Sequence, residues 1–109
     1  QILLEMHLAG HLSLPAIIRK GAHNPAVLFG IVDRGFIREG YFADLVAVDL
    51  DVPQQVTPDS LLYKCGWSPF EGERFSSSIY LTILNGDIVF RDGVVRDEPL
   101  GRRLDFAEK

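Results

Sequence analysis

Apolar residues crowd the first dozen positions, QILLEMHLAGHL. Ile2, Met6 and Ala9 share one helical stripe, Leu4, Leu8 and Leu12 the neighbouring one, and Leu3 widens the surface further. The spacing predicts a helix that Gly10 ends. A helix apolar over so much of its circumference is normally buried between other elements. It also lacks a capping residue before its apolar pattern and an initiating Met, so the expectation is a helix met partway along a longer protein. Ser13 can cap a second helix over 14–20, with Pro15 tolerated in its first turn. Asn24-Pro25 is a further start signal, with Asn24 expected as the cap and Pro25 at the first helical position. The resulting short helix, 26–29, stops at Gly30.

From residue 31 the period becomes strand-like. Arg38-Glu39-Gly40 predicts a turn, and Leu45, Val46, Ala47 and Val48 form an apolar strand with Asp44 and Asp49 at its ends. So little alternation implies burial on both faces. Residues 52–64, with Pro53 and Pro58, read as a connection holding one short helical turn over 58–62. A hairpin follows: a strand over 78–84, a tight Asn85-Gly86 turn with positive φ, and a return strand over 88–91. Asp92-Gly93 turns the chain into Val94-Val95, and 98–109 form a polar tail along the surface. There are no internal repeats.

Composition narrows the class of molecule. The chain has 109 residues, 47% hydrophobic and 24% charged, and a net charge of −4 from 11 basic and 15 acidic residues. Those values describe a folded domain with a modest core. Interspersed charge argues against a nucleic-acid or anionic-membrane surface, which needs clustered Lys and Arg. One cysteine permits no internal disulfide and suits a reducing compartment. No apolar run approaches the roughly 18 residues of a membrane span, and no signal-peptide pattern opens the chain. The expected location is the cytoplasm.

Three ordered stretches, HNPAVLFGI, DRGFIREGYFADLVAVDLD and TILNGDIVFRDG, resemble the C-terminal end of the cyclic amidohydrolases. The run KCGWSPFEG between the second and third is similar to dihydroorotases; dihydropyrimidinases and allantoinases are the next resemblance. The fold implied is α+β. Residues 1–30 would be the terminal helices of a metal-dependent hydrolase TIM barrel, cut on its N-terminal side. Residues 31–109 would be part of a small β-sandwich-like domain with a surface tail. The activity implied is conversion between N-carbamoyl-L-aspartate and L-dihydroorotate in pyrimidine synthesis. In the family, two zinc ions held by histidines, a carbamylated lysine and an aspartate activate a bridging hydroxide, because water is a poor nucleophile and a ring amide a poor electrophile near pH 7. Those ligands begin with an H-x-H pair at the ends of barrel strands, and this sequence has none. The resemblance therefore carries over no catalytic, cofactor-binding or metal-binding residue. It implies zinc and a small-molecule substrate for the whole enzyme, with no cofactor expected in this chain.

Other candidates weigh toward structure. His7 and His11, spaced i, i+4, share a helix face, but two ligands without a third make a weak metal site. His23 is expected to hydrogen-bond beside the Asn24 cap. Cys65 has no base nearby in sequence and reads as an inert buried thiol. Asp44 and Asp49 would lie ~16 Å apart along a strand, as solubilising end charges. In KCGWSPFEG, Gly66 and Gly72 allow sharp turns, Pro69 stiffens the centre, and Trp67 and Phe70 offer large apolar faces. Without an acid, base or metal cluster, the run reads as an aromatic plug sealing the β-structure. Outside the enzyme reading, the sequence also fits a catalytically dead assembly protein or a small interaction module. The uncovered N-terminal helix predicts self-association through its apolar stripe.

Overall fold

The computed structural model describes residues 1–108 of the chain. Three short helices come first: α1 (Ile2–Leu8), α2 (Leu14–Ile18) and α3 (Asn24–Phe29). Six strands follow: β1 (Leu45–Asp49), β2 (Gln54–Gln55), β3 (Arg74–Phe75), β4 (Ser78–Leu84), β5 (Asp87–Arg91) and β6 (Val94–Val95). All pairings are antiparallel, so the α+β class holds. The strands divide four and two, into a sheet ordered β1-β4-β5-β6 and a separate β2-β3 ribbon, rather than into the two matched layers of a sandwich.

The helical punctuation follows the sequence with one exception. The Ser13 hydroxyl accepts from Ala16 N at 3.3 Å and starts α2 as expected. Asn24, by contrast, is not a cap. Its backbone is already helical (φ −62°, ψ −44°), because α2 runs on through a π-helical turn, Arg19–His23, straight into α3. Pro25 has no N–H, and its ring crowds the carbonyl four residues earlier; the widened turn, with Asn24 N bonded to Arg19 O, opens the ladder at that point. Gly30 then stops α3 in the left-handed conformation, φ 64°.

The strand signals were of two qualities. β1, β4 and β5 lie within a residue of their predicted bounds, and Asn85 (φ 54°) and Gly86 (φ 90°) make the tight turn between β4 and β5. Pro58–Ser60 form the short helical turn. The two-residue strands β2 and β3 carry no sequence signal, since Gln54-Gln55 and Arg74-Phe75 show neither alternation nor β-branched enrichment. Residues 31–44, expected to be strand-like, instead form turns, with Ile31 alone bridged to Phe106. The polar tail is therefore not merely draped: Val32 N donates to Asp105 O (2.9 Å) and Ala107 N to Gly30 O (2.7 Å).

Burial is where expectation and structure part furthest. Among the described residues, Ala26 is the buried apolar side chain, with Arg34 and Ser77 the buried polar ones. In α1, expected to be buried, Ile2, Leu3, Met6 and Leu8 are exposed. Val46 in β1 is 59% exposed, so that strand is not covered on both faces. The accessible surface is 8377 Å², against about 6,100 Å² for a typical folded monomer of this mass. The radius of gyration, 15.6 Å, exceeds the roughly 13 Å of an average domain of this length. This is a well-hydrogen-bonded scaffold whose apolar faces outnumber the residues available to cover them.

Candidate functional site

The densest polar cluster is built on Arg34, which sits in the turn-rich segment after α3 with its side chain 10% exposed. Its guanidinium pairs with the Asp44 carboxylate through Nη1, donates to Asn85 Oδ1 through Nη2 at 2.6 Å, and lies 4.1 Å over the Phe42 ring. Asp44 uses its other oxygen to accept from Asn85 N at 2.8 Å, and Asn85 Nδ2 donates to Leu100 O at 2.8 Å. One guanidinium fork thus gathers the end of the helical region, the start of β1, the β4-β5 turn and the tail. The planar fork is what makes this possible, since a single ammonium could not present two rigid donors in one plane. Every carboxylate oxygen here is engaged, so the cluster holds segments in place and offers no free base.

Asp44 is therefore more than the solubilising end charge expected of it, and Asp49 only accepts from Asp51 N at 2.9 Å. The sequence reading missed Arg34 and the Asn85 side chain. The available signal was an arginine in a short turn, DRGF, with an aspartate ten residues on, directly before a strand.

A second cluster surrounds Phe36. The His23 ring stacks on it at 4.3 Å, and the Arg38 guanidinium carbon lies 4.4 Å from its centroid. His23 thus packs against an aromatic face instead of hydrogen-bonding beside a cap. The remaining histidine candidates do not form a metal centre. His7 Nδ1 lies 2.9 Å from Leu12 O, and among the described residues no group of three or more His, Cys, Asp or Glu could hold a metal ion. These residues do not fit the ligand set that the family resemblance implies.

The KCGWSPFEG run is not a plug within this chain. Trp67 is 61% exposed and Phe70 38%, and the Phe70 and Phe75 rings lie 6.0 Å apart in a tilted arrangement. Cys65 is exposed as well, its thiol 3.6 Å from Trp67 O. The turns were read correctly: Gly66 (φ 69°) and Gly72 (φ 85°) are left-handed, and Gly72 N donates to Val56 O at 2.9 Å. A loop pinned at its base by backbone bonds can present its aromatics outward, and apolar content alone could not reveal which way they face. No helix among the described residues is long and apolar enough to cross a membrane.

The ordered motifs, the antiparallel sheet and the NG turn recur in known proteins. The chain is 33% identical to the dihydroorotase of Pyrococcus furiosus over 103 residues, 94% of this chain and 25% of that protein. This chain belongs to the cyclic amidohydrolases. Within that family it is also 40% identical to an allantoinase of Desulfitobacterium hafniense over 77 residues, 71% of this chain and 17% of that protein. Among solved structures, the L-hydantoinase (dihydropyrimidinase) of Arthrobacter aurescens superposes with a TM-score of 0.73 and 32% identity, over 83% of this chain and 20% of that one. A D-hydantoinase structure, at TM-score 0.74 and 22% identity, shares the fold. No protein-family model matches the chain. The cyclic amidohydrolase segment described here spans about a quarter or less of the curated relatives it matches.

Proposed function

We propose that this chain serves as the C-terminal scaffold portion of a dihydroorotase-like enzyme, a zinc-dependent hydrolase that opens or closes a cyclic amide. The reading rests above all on the match to a dihydroorotase across 94% of the chain. In this reading α1 to α3 are the last helices of the catalytic barrel and the four-stranded sheet is the small β-domain beside it. Residues 1–108 contribute no metal ligand, base or nucleophile. Their part is mechanical: the Arg34–Asp44–Asn85 cluster joins helices, sheet and tail into one unit that can hold a barrel end in place. Zinc, when bound elsewhere in such an enzyme, would supply the activated hydroxide for amide attack. A cytoplasmic setting accords with the exposed, unpaired Cys65.

A second substrate reading is favoured by the 40% identity to an allantoinase, higher per residue though over less of the chain. One experiment addresses both. The chain is grafted in place of the matching segment of the Pyrococcus furiosus dihydroorotase, and zinc content and hydrolysis of dihydroorotate, allantoin and hydantoin are measured. A folded chimera that retains zinc and converts dihydroorotate supports the proposal. Hydrolysis of a ring amide by the 109-residue chain alone, or a folded chimera that loses its zinc, would refute the scaffold role.

A further inference from the structure

The polar stretch after β6 is attached to the rest of the chain at two separated places. At its start, Leu100 O accepts from Asn85 Nδ2 at 2.8 Å, in the turn between β4 and β5. At its end, Phe106 forms an antiparallel bridge with Ile31, Val32 N donating to Asp105 O at 2.9 Å and Ala107 N to Gly30 O at 2.7 Å. Between these points residues 101–104 are exposed and make no hydrogen bond with the rest of the described chain. The tail therefore reaches from one end of the sheet to the end of α3, held at its two ends and free in the middle.

The groups it captures are ones that need a partner. Gly30 O and Val32 N lie at and just past the end of α3, where backbone groups have no intrahelical mate, and the tail satisfies both. The close backbone neighbours of α3 are chiefly in the π-helical turn before it, so its position against the sheet depends on links made outside both elements. Arg34 supplies one, through Asp44 and Asn85 Oδ1. The tail supplies the other, and the two meet on the same Asn85 amide, which accepts from Arg34 and donates to Leu100. They differ in kind. The Arg34 link centres on a guanidinium 10% exposed, whereas residues 101–108 are exposed throughout. A few solvent-exposed backbone bonds are the mark of a segment that opens before the core does.

We propose that residues 100–107 are a releasable strap, which locks the end of α3 to the β4-β5 turn and opens as one unit while the sheet stays folded. The strap is made and broken within this chain. The inference therefore stands whichever cyclic amide the enzyme hydrolyses and whatever lies against the chain's outer faces.

Two neighbouring proline substitutions test it in the 109-residue chain, with circular dichroism checking that each variant folds. Ala107→Pro removes the N–H given to Gly30 O and sets a ring in its place. Glu108→Pro removes an N–H that bonds nothing among the described residues. Amide exchange followed by NMR should be at least about tenfold faster at Val32 in Ala107→Pro. It should be faster also at Ile31, whose own acceptor is Ala26 O in α3. Ile83 in β4 should be unchanged, and the Asn85 side-chain amide resonance, at the far attachment, should move toward its solvated position. Glu108→Pro should alter none of these. If Ala107→Pro does not fold, exchange in the unaltered chain over low urea concentrations decides. Val32 and Ala107 should then share one opening with one shallow urea slope, below that of Ile83. Equal effects of the two prolines, acceleration confined to Val32, an unmoved Asn85 resonance, or Val32 and Ala107 opening only together with Ile83 would overturn the strap.

Discussion

Gly35 and Gly40 have almost the same backbone conformation, φ 81° and 82°, and utterly different surroundings. A methyl group on Gly40 would meet nothing within 4 Å. On Gly35 it would collide with the Ala26 Cβ and lie 3.0 Å from Ala22 O. Those neighbours cannot swing aside, because Ala26 is the buried apolar residue of α3 and Ala22 O belongs to the π-helical turn backbone. Gly40→Ala should therefore cost only the left-handed penalty of an L-residue, about 1–2 kcal/mol. Gly35→Ala should cost that plus an overpacking term of about 1–3 kcal/mol, or about 2–5 kcal/mol together. The small stabilisation from a stiffer unfolded chain applies to both and cancels in the comparison. Urea unfolding followed by circular dichroism measures the difference. At a slope of about 1 kcal/mol per molar urea, the Gly35 variant should unfold roughly 1–3 M earlier than the Gly40 variant. Equal midpoints would show that the contact of the 31–44 segment with α3 does not exist as described.

Arg34→Ala should destabilise the chain by about 2–4 kcal/mol, somewhat below a fully buried ion pair because Asp44 keeps 31% exposure; a loss under ~0.5 kcal/mol in urea unfolding would disprove the cluster's role. Arg34→Lys should recover less than half of that loss, since an ammonium cannot present the fork that Asp44 and Asn85 receive. Trp67→Ala should change stability by no more than about 0.5 kcal/mol, and native indole emission should already resemble that of a solvated tryptophan; a blue-shifted native spectrum would restore the plug. Cys65 should react with a thiol reagent in the folded chain as quickly as in urea, and protection until unfolding would contradict its exposure.

Local stereochemistry made much of this chain legible from its sequence. Gly30 could end a helix, Asn85-Gly86 could adopt positive φ and Ser13 could cap, because each depends on a few neighbouring atoms. The three ordered motifs were likewise enough to reach the family. What the sequence did not carry were relations between distant residues. Arg34 meets Asn85 across fifty-one positions, and Gln54-Gln55 becomes a strand only because Arg74-Phe75 is there to pair with it. Exposure was the hardest property to anticipate. Apolar pattern states which residues would gain from burial, while burial itself requires atoms on the other side. For Val46, Trp67, Leu3 and Leu8 those atoms are not among the described residues, so the same side chains that predicted a core became surface.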